Sequence, residues 1–164
     1  PTLDSVLAVT LPFSEDTAER VRDRFGSAKV VTANNVLAHV DDVHDFLRGV
    51  RHLLADDGTF IFEVHWVKDL VDRTGYDQIY HEHLCYFSLH ALDFLLEQAE
   101  LELVDAKVVP MHGQCLRVKA IKARPESIHG MSEGCHDIIN AEVLADLDTA
   151  PPYLAFATRA QAHR

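Results

Sequence analysis

Two apolar segments separated by a helical pattern constrain the fold of this chain most strongly. Residues 29–33 (Lys-Val-Val-Thr-Ala) and residues 59–66 (Thr-Phe-Ile-Phe-Glu-Val-His-Trp) are rich in the β-branched and aromatic side chains typical of strands. Between them, apolar residues recur at helical spacing after Asp41 and Asp42 and stop at the polar residues 56–58. This order predicts a βαβ unit, with parallel strands and a right-handed crossover.

Shorter patterns precede this unit. Residues 5–10 form an apolar run that predicts a strand. Ser14 is placed to cap a helix whose first turn carries Glu15 and Asp16, and Gly26 is a suitable stop. We therefore expect a strand and a helix before the βαβ unit.

Beyond the unit, the sequence predicts a helix and a hairpin. Apolar residues recur at helical spacing over residues 89–99. Residues 101–109 and 116–121 have strand composition and are close enough in the chain to pair as antiparallel neighbours. The sheet is thus expected to end in a hairpin.

The pattern loosens after this hairpin, which defines the predicted domain organisation. Residues 1–122 form one α/β domain, and residues 123–164 form a linker and a helical C-terminal extension. Helices are predicted at residues 140–147 and 152–162, with no strand on which to pack.

Charge and cysteine content narrow the classes of partner. The formal net charge is -11, and no basic patch interrupts it, so we expect neither nucleic acid nor anionic lipid as a partner. No apolar run is long enough to span a bilayer. The 3 cysteines are widely spaced without a Cys-x-x-Cys motif, which favours a reducing cytoplasm over a disulfide framework.

The run Tyr80-His81-Glu82-His83 is the main candidate for chemistry. It places two imidazoles, a carboxylate and a phenol in four consecutive positions, a plausible acid/base constellation because histidine titrates near neutrality. A polar surface loop or a His-x-His metal site is the alternative. From the residues alone, His81 and His83 cannot be ranked.

Further polar residues lie at predicted strand ends, where open α/β sheets bind their ligands. Asn34 and Asn35 follow the first strand of the βαβ unit, and His39 lies just beyond them. Glu63 and His65 share one face of the second strand. His39 could equally be an ordinary residue at a helix start, and Glu63 and His65 could be a buried pair.

Three motifs in order carry a family resemblance. They are residues 34–40 (Asn-Asn-Val-Leu-Ala-His-Val), residues 80–88 with Tyr-His-Glu-His and Tyr-Phe-Ser, and His112-Gly113 followed by Leu-Arg-Val at residues 116–118. Together they resemble the S-adenosylmethionine-dependent C-methyltransferases that act on nucleotide-linked deoxysugars. The resemblance covers residues 14–122.

This resemblance implies a partial class I methyltransferase fold, which is Rossmann-like. The family has a mostly parallel seven-stranded sheet with helices on both faces and a C-terminal antiparallel β-hairpin. Residues 29–33 and 59–66 would be its fourth and fifth strands. The implied cofactor is S-adenosylmethionine, and the implied substrate is a nucleotide-linked keto-deoxysugar.

The chain also departs from the family. It contains no Gly-x-Gly loop of the kind that approaches the cofactor and no acidic strand end for the ribose. It is therefore expected to be the C-terminal part of a methyltransferase domain, and whether this chain alone binds the cofactor is left open.

The resemblance also implies roles for individual residues. His83 would be the base that removes a proton next to the carbonyl, supported by Glu82 and Tyr80, with His39 beside the donor or substrate; His81 would be structural. Other residues are implied to contact ligands. Those expected at the substrate are His65, Tyr86, His112, Gly113 and Arg117, and those expected at the cofactor are Asn34 and Asn35. Arg117 could instead pair with an acidic neighbour.

Two functions from other classes compete with this one. The chain could be a non-catalytic remnant or partner subunit whose exposed edge strand needs another chain, which makes a homo-oligomer possible. It could also be a metal hydrolase that uses the clustered histidines.

Overall fold

A computed structural model describes residues 7–111, 113–124 and 130–163. The helices and strands alternate through most of the chain. In order they are α1 (Glu15–Phe25), β1 (Ala28–Asn34), α2 (Val43–Leu53), β2 (Leu54–His65), α3 (Val67–Arg73), α4 (Leu89–Gln98), β3 (Leu101–Val109), β4 (Cys115–Lys122), α5 (Glu133–Leu144) and α6 (Pro151–Ala162).

The strands of the described residues form one four-stranded sheet in the order β1-β2-β4-β3. β1 pairs in parallel with β2, and β4 pairs antiparallel with both β2 and β3. The predicted βαβ unit and hairpin are therefore both present. The last strand is inserted between β2 and β3, which is the arrangement that the family resemblance implies.

The helix ends follow the predicted capping residues. Ser14 accepts a hydrogen bond from the backbone N–H of Thr17 at the start of α1, and Gly26 ends that helix with φ 82°. Asp42 caps α2 in the same way through the N–H of Asp45. Each cap satisfies a backbone donor that has no partner within the helix, so the boundaries could be predicted from local sequence.

The core is centred on the two inner strands. The side chains of Phe60, Phe62 and Val64 on β2 are fully buried, as are those of Leu116 and Val118 on β4. β1 lies at the edge of the sheet, and its Val30 remains 58% exposed. Each inner strand has a hydrogen-bonded neighbour on both sides, whereas β1 has one only on its β2 side among the described residues.

Of the two C-terminal helices, α6 lies where a helix was predicted at residues 152–162, whereas α5 differs from its prediction. Helix α5 begins earlier than residue 140, because Ser132 caps it through the N–H of Cys135. It also packs on β3, so the expectation that it would have no strand to pack on is wrong. A side chain at Gly134 would lie 2.7 Å from the carbonyl oxygen of Ala106 on β3, so the close approach depends on this glycine. Whether a domain boundary falls at residue 122 stays a prediction.

The N-terminal strand prediction is also wrong where it can be checked. Residues 7–10 have no strand pairing, and the earlier residues of that prediction lie outside the described part. A segment of apolar composition forms a strand only where a neighbouring strand is available for pairing.

Among the described helices the longest have 12 residues, and none is long and apolar enough to cross a membrane.

Candidate active site

A tight turn brings Tyr80 and His83 together. The backbone N–H of His83 donates to the carbonyl of Tyr80 at 3.0 Å, and the centroids of the two rings lie 4.1 Å apart. The chain after the turn is anchored to the short 3-10 turn that follows β1, since the N–H of Leu84 donates to the carbonyl of Ala38 at 2.8 Å. The motif therefore lies beside the carboxyl ends of the parallel strands.

The hydrogen bonds of His83 determine its tautomer. Nδ1 lies 2.8 Å from the backbone carbonyl oxygen of Gln78, which can only accept, so Nδ1 carries the hydrogen. In the neutral ring Nε2 is then the acceptor, and the hydroxyl of Tyr80, 3.0 Å away, donates to it. His83 is only 7% exposed. The ring thus holds its basic nitrogen against a phenol that is itself 43% exposed.

Two more imidazoles face His83. The ring centroids of His39 and His83 are 4.9 Å apart, and those of His65 and His83 are 4.7 Å apart. Nδ1 of His39 lies 2.7 Å from the carbonyl of Glu82, so its hydrogen is also on Nδ1. The structure therefore brings together three histidines that are far apart in sequence.

Tyr86 forms another side of this cluster. Its hydroxyl donates to the same Gln78 carbonyl at 3.1 Å, and its ring stands at 90° to that of His83 with centroids 6.0 Å apart. Burial raises the pKa of Tyr86, and the neighbouring Tyr80 raises it further. Tyr86 therefore remains a neutral donor at physiological pH.

The other two members of the motif point outward. The side chain of His81 is 89% exposed, and that of Glu82 is 64% exposed with its carboxylate 3.9 Å from His81. Glu82 contacts the cluster through its backbone carbonyl rather than its carboxylate. The geometry thus separates His81 from His83, which the residues alone could not do.

Arg117 is paired with an acid. It lies opposite Glu63 in the register of β2 and β4, and both its Nε and its Nη2 lie 2.5 Å from Oε1 of Glu63. Glu63 is 3% exposed, so the ion pair neutralises a buried carboxylate. This is the alternative considered for Arg117, and a contact between Arg117 and a substrate phosphate stays a prediction.

The hairpin turn is positioned by Asp69. Oδ2 of Asp69 accepts the N–H of Gln114 at 3.1 Å, and a side chain on Gly113 would lie 2.8 Å from that oxygen. Gly113 has φ 93°, a conformation that disfavours other residues. His112, the other residue expected in this turn, lies outside the described residues.

Comparison with known proteins gives the family. Residues 7–106 match the family model described as a methyltransferase domain. This chain belongs to the methyltransferase domain family. It is 38% identical over 116 residues to the C-methyltransferase NovU of Streptomyces niveus, a match that covers 70% of this chain and 28% of NovU. The methyltransferase domain described here therefore spans less than a third of that relative.

A solved structure supports the same fold. It is a chain of the complex between the Haloferax volcanii Trm112 methyltransferase activator and a methyltransferase, which superposes with a TM-score of 0.51 at 14% identity. The superposition covers 70% of this chain and 58% of that one. At this identity the likeness shows the fold alone. The expected methyltransferase family and its α/β fold are confirmed.

A buried polar atom without a partner among the described residues lies just beyond the end of β1 in this methyltransferase domain. Oδ1 of Asn35 is buried and has no hydrogen-bond partner within the described residues. Asn35 has φ 54°, and its N–H donates to the carbonyl of Glu63 at 2.9 Å. Such an acceptor fits a hydroxyl or amino group of a cofactor, whereas the chain has no Gly-x-Gly cradle. The Asn35 acceptor is therefore compatible with a cofactor contact.

A polar cavity adjoins the histidines. Its volume is about 270 Å³. Its lining includes groups from the end of β2, from α3 and the turn after it, and from the hairpin turn: His65, Trp66, Asp69, Leu70, Arg73, Thr74, Gly75, Asp77, Gln78, Gly113 and Gln114. His65 and Gln78 belong to both the cavity lining and the surroundings of His83, so the cavity borders the histidine cluster.

No metal centre is formed by the described residues. Among residues 7–111, 113–124 and 130–163, no three or more His, Cys, Asp and Glu side chains converge as a metal site would require. The clustered imidazoles instead lie at tilted angles to one another, and those of His39 and His83 donate to backbone carbonyls.

Sequence reasoning missed the residues that act through their backbone or from a distance. Gln78 orients both His83 and Tyr86 through its carbonyl oxygen, which its side chain does not reveal. Glu142 lies far along the chain on α5, yet its carboxylate accepts from Trp66 and Leu89 next to the site. A carboxylate between apolar residues of an amphipathic helix was the only available signal for Glu142.

Proposed function

We propose that this methyltransferase domain activates the acceptor carbon in an S-adenosylmethionine-dependent C-methyltransferase that acts on a nucleotide-linked keto-deoxysugar. The observation that carries the proposal is the tautomer of His83, whose Nδ1 hydrogen is committed to Gln78 and whose Nε2 faces Tyr80. The similarity to NovU over 70% of this chain supports carbon as the methylated atom.

The proposed chemistry begins with a proton transfer. Methylation at carbon needs removal of a proton next to the ketone, which leaves an enolate. His83 is 7% exposed and Tyr80 is 43% exposed, so in this proposal the acceptor meets the phenol first. The acceptor proton passes to the Tyr80 oxygen as Tyr80 gives its own hydrogen to Nε2 of His83. The product is an imidazolium whose Nδ1–H still donates to Gln78.

The enolate then needs a donor and an electrophile. His39 and His65 lie with ring centroids within 5 Å of that of His83, and either can donate to the enolate oxygen when protonated. S-adenosylmethionine, when bound, would supply the methyl group, with its methyl–sulfur bond breaking as the acceptor carbon is methylated. Asn34 and Asn35 at the end of β1 are the proposed cofactor contacts.

The polar cavity is proposed to hold the sugar ring. Its two carboxylates, Asp69 and Asp77, outnumber its one guanidinium, Arg73, which is itself paired with Asp69 at 2.7 Å. Such a balance favours neutral hydroxyls over phosphate. A volume of about 270 Å³ suits one ring rather than a whole nucleotide sugar. The nucleotide would then extend outside the cavity.

Solvent deuterium exchange tests the acid/base step without the methyl donor. The chain is incubated in D₂O with a nucleotide-linked keto-deoxysugar, and mass spectrometry follows deuterium at the carbon next to the ketone. Wild type is expected to accelerate exchange, and His83→Gln is expected to abolish the acceleration. His81→Gln is the matched control, because this side chain is 89% exposed and lies two positions away. Exchange by His83→Gln at the wild-type rate would exclude His83 as the base.

Separate measurements test the cofactor and the transfer. S-adenosylhomocysteine should raise the melting temperature of the chain if its residues bind the cofactor. Adding S-adenosylmethionine to the exchange mixture should convert the acceptor to a product heavier by one methylene unit. Exchange without transfer would place the remaining cofactor contacts outside this chain. Neither exchange nor transfer with this acceptor class would overturn the proposed substrate.

A second candidate is a non-catalytic partner subunit, and the edge strand β1 favours it. Among the described residues β1 pairs only with β2, and Val30 is 58% exposed. A second copy or another chain could add a strand there. Size-exclusion chromatography with light scattering would show a dimer or larger assembly, whereas a monomer with a cooperative melt would contradict this function.

A further inference from the structure

Glu142 on α5 is a buried carboxylate with three N–H donors. Oε1 accepts the indole Nε1–H of Trp66 at 2.6 Å and the backbone N–H of Leu89 at 2.7 Å. Oε2 accepts the backbone N–H of His90 at 3.1 Å. Glu142 is 3% exposed, so these bonds replace nearly all of its hydration.

The donors come from two different elements. Trp66 follows the last residue of β2, while Leu89 and His90 open α4, whose first backbone N–H groups have no partner within the helix. A carboxylate is favoured there by its charge as well as by its hydrogen bonds. A single side chain thus ties the end of a strand to the start of a helix.

The same two segments are also joined through their backbones. Trp66 and Phe87 form an isolated parallel bridge, and the N–H of Val67 donates to the carbonyl of Phe87 at 3.0 Å. Glu142 adds side-chain hydrogen bonds to this junction. Among the described hydrogen bonds, these are the only ones that reach it from the C-terminal helices.

Both segments carry residues that contact His83. His65 immediately precedes Trp66, and its ring centroid lies 4.7 Å from that of His83. Tyr86 lies three positions before Leu89, and its hydroxyl shares the Gln78 carbonyl with His83. The separation of the two segments therefore determines how closely His65 and Tyr86 approach the imidazole.

We propose that Glu142 is a positioning residue of the candidate active site, which holds the end of β2 and the start of α4 at the separation that keeps His65 and Tyr86 against His83. The carboxylate contacts no reacting atom in this role. Its effect on proton transfer rests on the proposed function, whereas its effect on the His83 ring does not.

Nitrogen NMR of the imidazoles measures that effect without an acceptor. In wild type labelled with ¹⁵N-histidine, His83 should show the single Nδ1–H tautomer, and its signals are assigned by their loss in His83→Gln. Glu142→Ala should replace them with shifted or averaged signals, because His65 and Tyr86 are no longer held against the ring. Asp137→Ala is the matched control, an exposed carboxylate on the same helix.

Tryptophan fluorescence reports the other end of the contact. Trp66 is the only tryptophan of the chain, so a change in its emission in Glu142→Ala shows that the indole has lost its partner. An altered Trp66 emission with an unaltered His83 spectrum would mean that Glu142 only attaches α5, and would overturn the proposal.

If Glu142→Ala does not fold, the conservative variant Glu142→Gln tests the positioning role of Glu142. Glu142→Gln keeps the volume and the acceptor for Trp66 and Leu89 but turns an NH₂ group towards the N–H of His90. Its His83 signals should shift in the same direction by a smaller amount, and signals identical to wild type would overturn the proposal.

In the deuterium-exchange assay Glu142→Ala should lower the rate roughly 10-fold to 100-fold, as expected for misplaced catalytic groups.

Discussion

The hydroxyl of Tyr80 donates to Nε2 of His83 at 3.0 Å, while Nδ1 of the same ring donates to a backbone carbonyl at 2.8 Å. The second bond makes the first one directional, because it leaves Nε2 as the only acceptor on the neutral imidazole. Many catalytic side chains are likewise paired with a histidine that a third group orients, and here the third group is the backbone carbonyl of Gln78. The contribution of the Tyr80 hydroxyl can be separated from that of the His83 ring by removing the hydroxyl alone.

Tyr80→Phe removes the hydroxyl from the proposed relay and keeps the ring. We expect the rate of acceptor deuterium exchange to fall about 100-fold, which is within the range for loss of a general acid or base. Tyr153→Phe is the control, since it removes a hydroxyl bonded to the carbonyl of Leu147 outside the cluster. A Tyr80→Phe rate near that of wild type would show that His83 meets the acceptor directly.

Gly113→Ala should destabilise the hairpin turn. Alanine is disfavoured at φ 93°, and its methyl group would lie 2.8 Å from Oδ2 of Asp69. We expect the free energy of unfolding in urea to fall by about 1–2 kcal/mol or more. Gly130→Ala should change it little, because nothing lies within 4 Å of the added methyl group there. Equal effects at the two glycines would contradict the assigned turn geometry.

Arg117→Met should leave the carboxylate of Glu63 buried without its charged partner. Because Glu63 is 3% exposed, we expect a loss of about 1.5–3 kcal/mol in the free energy of unfolding. The double variant Glu63→Gln with Arg117→Met should recover part of it, since the uncompensated charge is gone. No recovery in the double variant would mean that the two residues contribute independently.

The cysteines should differ in their reaction with iodoacetamide at pH 8. Burial, with a smaller contribution from Glu63 and Asp69, raises the pKa of the Cys115 thiol to about 11, and burial also raises the pKa of Cys135. A raised pKa leaves less thiolate at this pH, and the thiolate is the reactive form. Mass spectrometry should find native labelling at the half-buried Cys85 and labelling of all three after unfolding. Fast native labelling of Cys115 would contradict its burial.

Local patterns predicted the main elements of the fold well. Ser14 and Asp42 cap the helices that they were expected to cap, and the segment after Asp56 continues as a strand beside β1. The errors have local causes too. Leu54 continues the helical periodicity of α2 but pairs with Ala28 instead. Periodicity cannot show where a helix gives way to a strand, because that depends on the neighbour available for pairing.

The candidate site was predictable in composition but not in arrangement. The motif at residues 80–83 and the strand ends at Asn35 and His65 were identified as polar groups in an apolar context. Which of His81 and His83 is turned inward depends on the turn that bonds Tyr80 to His83 and on the carbonyl of Gln78. Every residue has a backbone carbonyl, so residue type cannot show which carbonyl orients an imidazole ring.

The sequence by itself determined the α/β class, the parallel unit, the closing hairpin and the set of residues that can transfer protons, because spacing, capping and composition act over short stretches of chain. Only the tertiary structure decided that His39, His65 and His83 meet, that Arg117 is paired with Glu63, and that Glu142 reaches the site from α5. These contacts join residues from 18 positions apart, as for His65 and His83, to 76 positions apart, as for Trp66 and Glu142. They form only after the sheet order and the packing of the last helices bring distant strand ends to one edge.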